Sequence, residues 1–168
     1  MSGMCANGMR AAAVLAVPFL ARIAADTHHP YRAEALAEVP SPARARYIGV
    51  ASRGELLLHR ADPKYDELYG VEVTGYPAGW SVAAARAAIT ADGVLLKPLL
   101  HDPDPAIRIS AAYALAAATD HDRAVRAAFR TRLDAEQSPI VRAALVLATA
   151  EVTRTHPHSP TTAWMREC

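Results

Sequence analysis

The feature that most constrains the fold is an internal repeat in the second half of the chain. Residues 104–116 (DPAIRISAAYALA) align with residues 138–150 (SPIVRAALVLATA), which lie 34 positions later. The proline and the arginine of the first copy, Pro105 and Arg108, recur at the same places in the second. Repeats of this length are typical of helical hairpins that bury their apolar faces only against their neighbours. The repeat therefore predicts a stack of helical hairpins.

Both copies of the repeat carry the signature of a helix N-terminus. Asp104 and Ser138 have side-chain oxygens that can accept a hydrogen bond from the first helical turn. The prolines that follow them take the first helical position, where no backbone N–H is needed. A shorter helical pattern at 121–135 lies between the two repeat helices and turns the chain back. We therefore expect a helix, a return helix and a second copy of the first.

The composition extends the helical prediction to the whole chain. Of 168 residues 38 are alanine, against two Phe and two Trp. Alanine has the highest helix propensity, whereas a β sandwich needs Val, Ile, Thr and aromatic residues. The sequence thus predicts an all-α fold. Helical patterns are found at 10–25, 31–38, 42–58, 81–91, 94–101, 104–119, 121–135 and 138–154.

The repeat also resembles that of HEAT-repeat proteins, especially the short bacterial type called phycobilisome-lyase HEAT-like repeats. The run from Asp104 to Arg108 carries the resemblance, Ser138–Arg142 is a second copy with Ser in place of Asp, and the match covers residues 80–155. It implies a right-handed HEAT-like solenoid of about four hairpins, in a single domain over 1–168. HEAT arrays serve many roles, so the resemblance implies no particular chemistry.

The resemblance assigns a structural role to the repeat arginines. In HEAT families the equivalent arginine pairs with an aspartate in the turn of a neighbouring repeat. Arg108 and Arg142 are then members of a ladder that sets the stacking of hairpins, with Asp102 or Asp104 as the carboxylate partner. Contact with a ligand is the alternative role for these two arginines.

An irregular insert at 59–80 interrupts the helical patterns and is the main candidate for a binding surface. It has no helical period and holds four aromatic and several acidic residues. Its candidate binding residues are Tyr65, Asp66, Glu67, Tyr69, Tyr76 and Trp80. Tyr and Trp are common anchors of protein interfaces. The insert could instead fold over an exposed helix end as a cap, or line a catalytic pocket.

A second candidate surface is basic. Arg123, Arg126 and Arg130 follow helical spacing, which places them on one face of the helix at 121–135. Such a face suits phosphate or acidic partners. The chain has 18 basic and 17 acidic residues, however, and this balance disfavours a nucleic-acid binder. A solvated helix face is the alternative interpretation.

The sequence predicts no metal site, no cofactor and no membrane span. The close histidine pairs, His28–His29 and His156–His158, lack zinc spacing, and no phosphate-binding loop or nucleophile elbow is found. Two cysteines form no disulfide framework, so a cytoplasmic protein is expected. No apolar run reaches 18 residues. The apolar segment at 10–25 predicts an amphipathic helix rather than a cleaved signal peptide, because Pro18 interrupts it.

These observations predict a non-catalytic protein-interaction module with a helical-repeat surface and an aromatic insert. Residues 157–168 are polar, contain proline and are expected to form a flexible tail. An apolar first helix could also support a homodimer. The alternative is an enzyme acting on nucleic acid, because one family of base-excision glycosylases is built from HEAT-like repeats. This alternative depends on analogy at the level of the fold alone.

Overall fold

The computed structural model describes residues 13–44, 80–118 and 123–155, and every regular element in these ranges is helical. This confirms the predicted all-α class. The α-helices are α1 Val17–Ala25, α2 Arg32–Glu38, α3 Ser41–Arg44, α4 Trp80–Ala91, α5 Gly93–Leu96, α6 Pro105–Ala116, α7 Arg123–Ala135 and α8 Pro139–Thr155. Short 3-10 helices precede α1 and follow α5, at Val14–Ala16 and Lys97–His101.

The helices form three hairpins arranged in two layers. The first hairpin is α1 and α2; the second runs from α4 through α5 and the 3-10 helix Lys97–His101 to α6; the third is α7 and α8. In one layer α1 packs on α4 and α5, and the 3-10 helix packs on α7. In the other layer α2 packs on α6, and α6 on α8. We call α2, α6 and α8 the second helices.

Helix α6 begins as the sequence predicts. The Oδ1 atom of Asp104 accepts a hydrogen bond of 2.8 Å from the backbone N–H of Ala106, and Pro105 is the first helical residue. Helix α8 likewise begins at Pro139, and the carbonyl of Ser138 accepts from the N–H of Arg142 at 3.0 Å. The capping residue and the proline therefore determine where α6 starts, and Pro139 begins α8 at the equivalent place.

The predicted helix at 94–101 is instead divided into two short elements. Helix α5 ends at Leu96, and the chain continues as a 3-10 helix with Pro98 in its first turn. Proline has no N–H to donate and its ring crowds the preceding turn, so a regular α-helix does not continue through it. The 3-10 geometry keeps Leu99 and Leu100 buried in the core.

The N-terminal helical prediction is confirmed over the residues that the structure describes. Pro18 lies in the first turn of α1, where it is tolerated, and Val17, Ala21 and Ala24 are fully buried at helical spacing. Of the helix predicted at 42–58, only Ser41–Arg44 lies among the described residues. Residues 59–79 of the insert and the tail at 157–168 lie outside them.

The core lies between the two layers and is built mainly from aliphatic side chains and alanines. Phe129 is the largest of the fully buried residues, and its companions are Leu36, Ile89, Leu96, Leu100, Leu115 and Leu145. Fully burying one such leucine stabilises the fold by about 1.5–3 kcal/mol. Across the described ranges, none of the helices has the length and apolar character that a bilayer crossing requires.

Candidate functional site

Three turns of the molecule contain the same polar arrangement. Each second helix is preceded by an acidic residue: Asp26, Asp102 or Glu136. One carboxylate oxygen of each accepts a hydrogen bond of 2.9 Å from the backbone N–H two residues later, at His28, Asp104 and Ser138 respectively. We call Asp26, Asp102 and Glu136 the turn acids. The shared contact leaves the second oxygen of each carboxylate available to another donor.

An arginine follows each turn acid by six residues. Arg32, Arg108 and Arg142, which we call the helix arginines, lie in the first turns of the second helices. Arg108 Nη1 and Arg142 Nη1 donate to the main-chain carbonyls of their own turn acids, Asp102 at 2.8 Å and Glu136 at 3.1 Å, whereas Arg32 Nε donates to the carbonyl of Ala24 in α1 at 3.4 Å. The turn acids and helix arginines together form the arginine ladder.

The ladder connects each hairpin to the next. Arg32 Nη2 donates to Asp102 Oδ2 at 2.6 Å and joins the first hairpin to the second. Arg108 Nε and Nη2 donate to the two oxygens of Glu136 at 2.9 and 3.1 Å and join the second hairpin to the third. Both acids and Arg108 are buried. A guanidinium that contacts both carboxylate oxygens fixes orientation as well as distance.

The carboxylate partner of Arg108 differs from the one that the family resemblance implies. The carboxylate of Asp104 caps α6, and that of Asp102 is occupied by Arg32 and by the N–H of Asp104. Asp102 offers Arg108 only its main-chain carbonyl. The side chain of Arg108 therefore pairs with the turn acid of the following hairpin, Glu136.

The hydrogen-bond partners of Glu136 lower the pKa of its carboxyl group. Burial raises the pKa of its carboxyl group, but the N–H of Ser138 and the guanidinium groups of Arg132 and Arg108 outweigh burial and lower the pKa from 4.5 to about 2. Arg132, one turn earlier, donates to Glu136 Oε2 at 2.6 and 3.0 Å. Glu136 is thus charged at neutral pH and held by two cations.

Among the residues that the structure describes, the ladder is open at both ends. Asp26 is exposed and forms no ion pair with any described residue, whereas Asp102 and Glu136 each receive an arginine. Arg142 is also exposed; it donates to the carbonyls of Leu133 and Glu136 and pairs with no carboxylate of the described part. One end of the stack therefore presents an acid and the other a base.

A row of exposed side chains crosses the second helices. Ala37, Tyr113 and Leu147 each follow their helix arginine by five residues, so they occupy equivalent places on α2, α6 and α8. All three are exposed, and Leu147 is 70% accessible. We call these residues the second-helix row. Because α6 packs between α2 and α8, the row lies along one continuous side of the molecule.

Arg44 contacts Tyr113, the central residue of the row. Its guanidinium lies 3.5 Å from the ring centroid of Tyr113 and donates to the carbonyl of Tyr113 at 2.7 Å. The same Nη2 atom donates to Glu151 at 2.9 Å, so Arg44 links α3 to both α6 and α8. Its Nη1 atom is buried and finds no hydrogen-bond partner among the described residues. The sequence does not indicate these partners of Arg44, since they are 69 and 107 residues away.

Most of the insert residues predicted as a binding surface lie outside the part that the structure describes. This applies to Tyr65, Asp66, Glu67, Tyr69 and Tyr76. Trp80 is the first residue of α4, one residue earlier than the predicted helix start. The described residues show no aromatic cluster; their ring contacts are the His29–Tyr31 pair and the stacking of Arg44 on Tyr113.

The three arginines at helical spacing on α7 lie away from the buried side of this helix. Val125 and Phe129 point into the core, Arg123 and Arg130 are exposed, and Arg126 is half-buried. Arg132 of the same helix turns to Glu136 instead of joining this face. The surface around these arginines therefore follows from the amphipathic pattern of α7.

The described part of the structure contains a small cavity. A cavity of about 30 Å³ lies where Ile89, Gly93, Leu115 and Val125 meet. This volume is close to that of one water molecule and well below that of a ligand pocket. No group of three or more His, Cys, Asp and Glu side chains in the described part could hold a metal ion.

Comparison with models of protein families, with curated proteins and with solved structures gave no match in any of the three. The geometry of the ladder and of the second-helix row is therefore the basis for assigning a function.

Proposed function

We propose that the protein is a non-catalytic interaction module, built as a HEAT-like helical-repeat array, that binds a protein partner along the second-helix row. The observation that carries the proposal is the position of Tyr113 and Leu147. They occupy equivalent places on adjacent second helices, and both are exposed. The three turns with a turn acid and a helix arginine support the assignment as a repeat array.

Tyr113 has the properties of an interface anchor. Stacking of Arg44 restricts the ring before any partner binds, so little conformational entropy is lost on association. Tyrosine also contributes a large contact area and is enriched at binding hot spots. The Arg44–Glu151 ion pair beside the ring provides the polar rim that usually surrounds an apolar contact.

Leu147 adds an aliphatic contact next to the ring, whereas Ala37 at the equivalent place on α2 leaves room for a side chain of the partner. We therefore propose a partner segment that crosses the three second helices and places an apolar side chain between Tyr113 and Leu147. Contacts along the row would then be mainly apolar at the centre and polar at the edge.

The aromatic insert remains part of the proposal as a second set of anchors. The described helices nearest to it in sequence on either side are α3 and α4; they pack together, and Arg86 Nε donates to the carbonyl of Ala43 at 3.2 Å. Arg44, beside Tyr113, is the last described residue before the insert.

Site-specific photocrosslinking tests the proposal directly. A benzophenone amino acid is introduced at Leu147 in one variant and at Val94 in another, because these two residues are 70% and 71% exposed. After irradiation in cells of the native host, we expect a discrete protein adduct from position 147 and none from position 94. Equal adduct patterns from the two positions, or none from position 147, would exclude the row as the binding surface.

Competition variants then test the contact itself. Leu147→Asp and Tyr113→Ser should each abolish capture of the adduct protein by the purified chain, whereas Val94→Asp should leave capture unchanged. The helical circular dichroism spectrum of every variant is compared with that of the wild type, so that loss of capture is not confused with unfolding. Tyr76→Ala combined with Trp80→Ala tests whether the insert contributes to the same interaction.

A further inference from the structure

We infer that the arginine ladder continues from one copy of this chain to another, with Arg142 of one copy paired to Asp26 of the next. The inference is independent of the proposed function, because it depends on the turns and not on the second-helix row. It predicts head-to-tail self-association in which the third hairpin of one copy contacts the first hairpin of its neighbour.

The acidic end already has the geometry of an internal junction. Asp26 accepts the N–H of His28 at 2.9 Å, as Asp102 accepts that of Asp104 at the same distance. At the internal junction, the remaining oxygen of Asp102 receives Arg32 at 2.6 Å. Asp26 also accepts its backbone N–H through Oδ1, as Asp102 does, and its side chain is exposed. No arginine of the described part reaches it.

The basic end of the ladder, at Arg142, is exposed as well. Arg108 is buried under the third hairpin, whereas Arg142, the equivalent residue 34 positions later, is exposed. One turn further along each helix, Ala112 is 0% exposed and its counterpart Val146 is 53% exposed. The equivalent face is therefore present on α8, with a larger apolar residue, but no residue of the described part covers it.

The acidic end exposes a matching apolar residue. The residue directly before each helix arginine is Tyr31, Ile107 or Val141. Ile107 and Val141 are 2% and 0% exposed, whereas Tyr31 is 59% exposed. Each end thus presents one charge and one apolar side chain, with opposite charges at the two ends. This charge complementarity favours a second copy of the chain as the occupant.

The expected arrangement is heterologous, since the two contacting surfaces are different. Such an interface produces a ring if the rotation between copies closes and an open filament if it does not. In either assembly α8 of one copy lies beside α2 of the next, as α6 lies beside α8 within the chain. An isologous two-fold dimer would not pair Arg142 with Asp26 through this ladder geometry.

Sedimentation velocity of the full chain under reducing conditions tests the inference. We expect the wild-type mass to exceed that of one chain and to rise with concentration, and 0.5 M salt to reduce association because the outer ion pair is screened. The single variants Arg142→Glu and Asp26→Arg should each weaken association by about 30-fold or more, as expected for a broken charge pair at an interface.

Rescue distinguishes the specific pair from a change in folding. In an equimolar mixture of the Arg142→Glu and Asp26→Arg proteins, every head-to-tail contact again joins opposite charges, so association should return. The chain carrying both substitutions should also associate, because its exchanged charges are complementary. The variant Arg123→Glu, on the exposed side of α7, serves as a control and should associate like the wild type.

Three outcomes would overturn the inference. The first is a wild-type chain that stays monomeric up to millimolar concentration. The second is association that neither charge reversal weakens, or that the mixture fails to restore. The third is a chain truncated after residue 155 that associates when the full chain does not, since the segment 156–168 would then be the occupant of the Arg142 face.

Discussion

Arg108 and Glu136 form the junction between the second and third hairpins, with hydrogen bonds of 2.9 and 3.1 Å from one guanidinium to both carboxylate oxygens. Arg108 also donates to the carbonyls of Asp102 and Pro103, which belong to the turn before its own helix. The guanidinium therefore hydrogen-bonds both to carbonyls of the turn before its own helix and to the turn acid of the next hairpin. Because one guanidinium contacts both hairpins, it fixes the position of the third hairpin relative to the start of α6.

Replacing Arg108 should destabilise the fold much more than replacing Arg142. Arg108→Met removes both hydrogen bonds to Glu136 and should lower the free energy of unfolding by about 2 kcal/mol or more. Arg142→Met is the matched control, because it removes carbonyl contacts of the same kind but no ion pair within the described part. Urea titration at low protein concentration measures the difference. Equal losses from the two variants would mean that the contact with Glu136 contributes nothing.

Stability should depend on the charge of Glu136 in acid. Its folded-state pKa of about 2 lies below the ordinary value of 4.5, so the unfolded chain binds a proton first as pH falls. The stabilisation is therefore fully present above about pH 5 and is lost progressively towards pH 2. Glu136→Gln should be less stable than the wild type at pH 7, and the gap should narrow as pH falls. Urea midpoints at pH 7, 5 and 3 measure this gap.

The control for the acid dependence is Glu38→Gln, which removes an exposed carboxylate from α2. Its difference from the wild type should be small at pH 7 and should change little with pH. A gap between the wild type and Glu136→Gln that stays constant from pH 7 to pH 3 would contradict the role of the charged form.

Replacing two leucines of α8 by alanine should change the free energy of unfolding by very different amounts. Leu145 is fully buried, so Leu145→Ala should lower the free energy of unfolding by about 2–5 kcal/mol through lost burial and a residual cavity. Leu147 lies on the exposed second-helix row, and Leu147→Ala should change stability by about 0.5 kcal/mol or less. Thermal and urea unfolding measure both. Comparable destabilisation by the two variants would disprove the assignment of the buried and exposed faces.

Asp104 should stabilise the protein as a helix cap. Asp104→Ala removes the oxygen that accepts the N–H of Ala106 and should cost about 1 kcal/mol. Asp104→Asn keeps an oxygen at the same place and should cost about half as much or less, since Asn caps nearly as well as Asp. The comparison of chemical denaturation midpoints is decisive: if both variants unfold like the wild type, the capping bond does not contribute.

Several features of the fold could be predicted from local sequence. The spacing of Asp104 and Pro105 predicts the start of α6, because capping and the missing N–H of proline act within one helical turn. The 34-residue offset predicts a second copy of that helix at Pro139, which the structure contains. Pro98 was the local signal for the division of the helix at 94–101, since proline disrupts regular α-helical hydrogen bonding.

The candidate site could be predicted less well. Tyr113 and Leu147 are related by the same 34-residue offset, so their equivalence was visible in the sequence. Their exposure was not, because Tyr113 follows Ala112, which is fully buried, by one position on an alanine-rich helix. The aromatic residues of the insert were predicted to bind a partner from composition alone. Composition does not indicate where a residue lies relative to the second helices.

The sequence by itself determined that most of the described segments are helical, where α6 and α8 begin, and that Arg108 recurs as Arg142 with the repeat. These properties depend on interactions within a few residues. Only the tertiary structure decided that Arg108 meets Glu136, that Arg32 meets Asp102 and that Arg44 stacks on Tyr113, across 28, 70 and 69 positions respectively. Packing of the hairpins selects those partners, because a buried guanidinium requires whichever carboxylate or carbonyl the neighbouring hairpin brings within hydrogen-bonding distance.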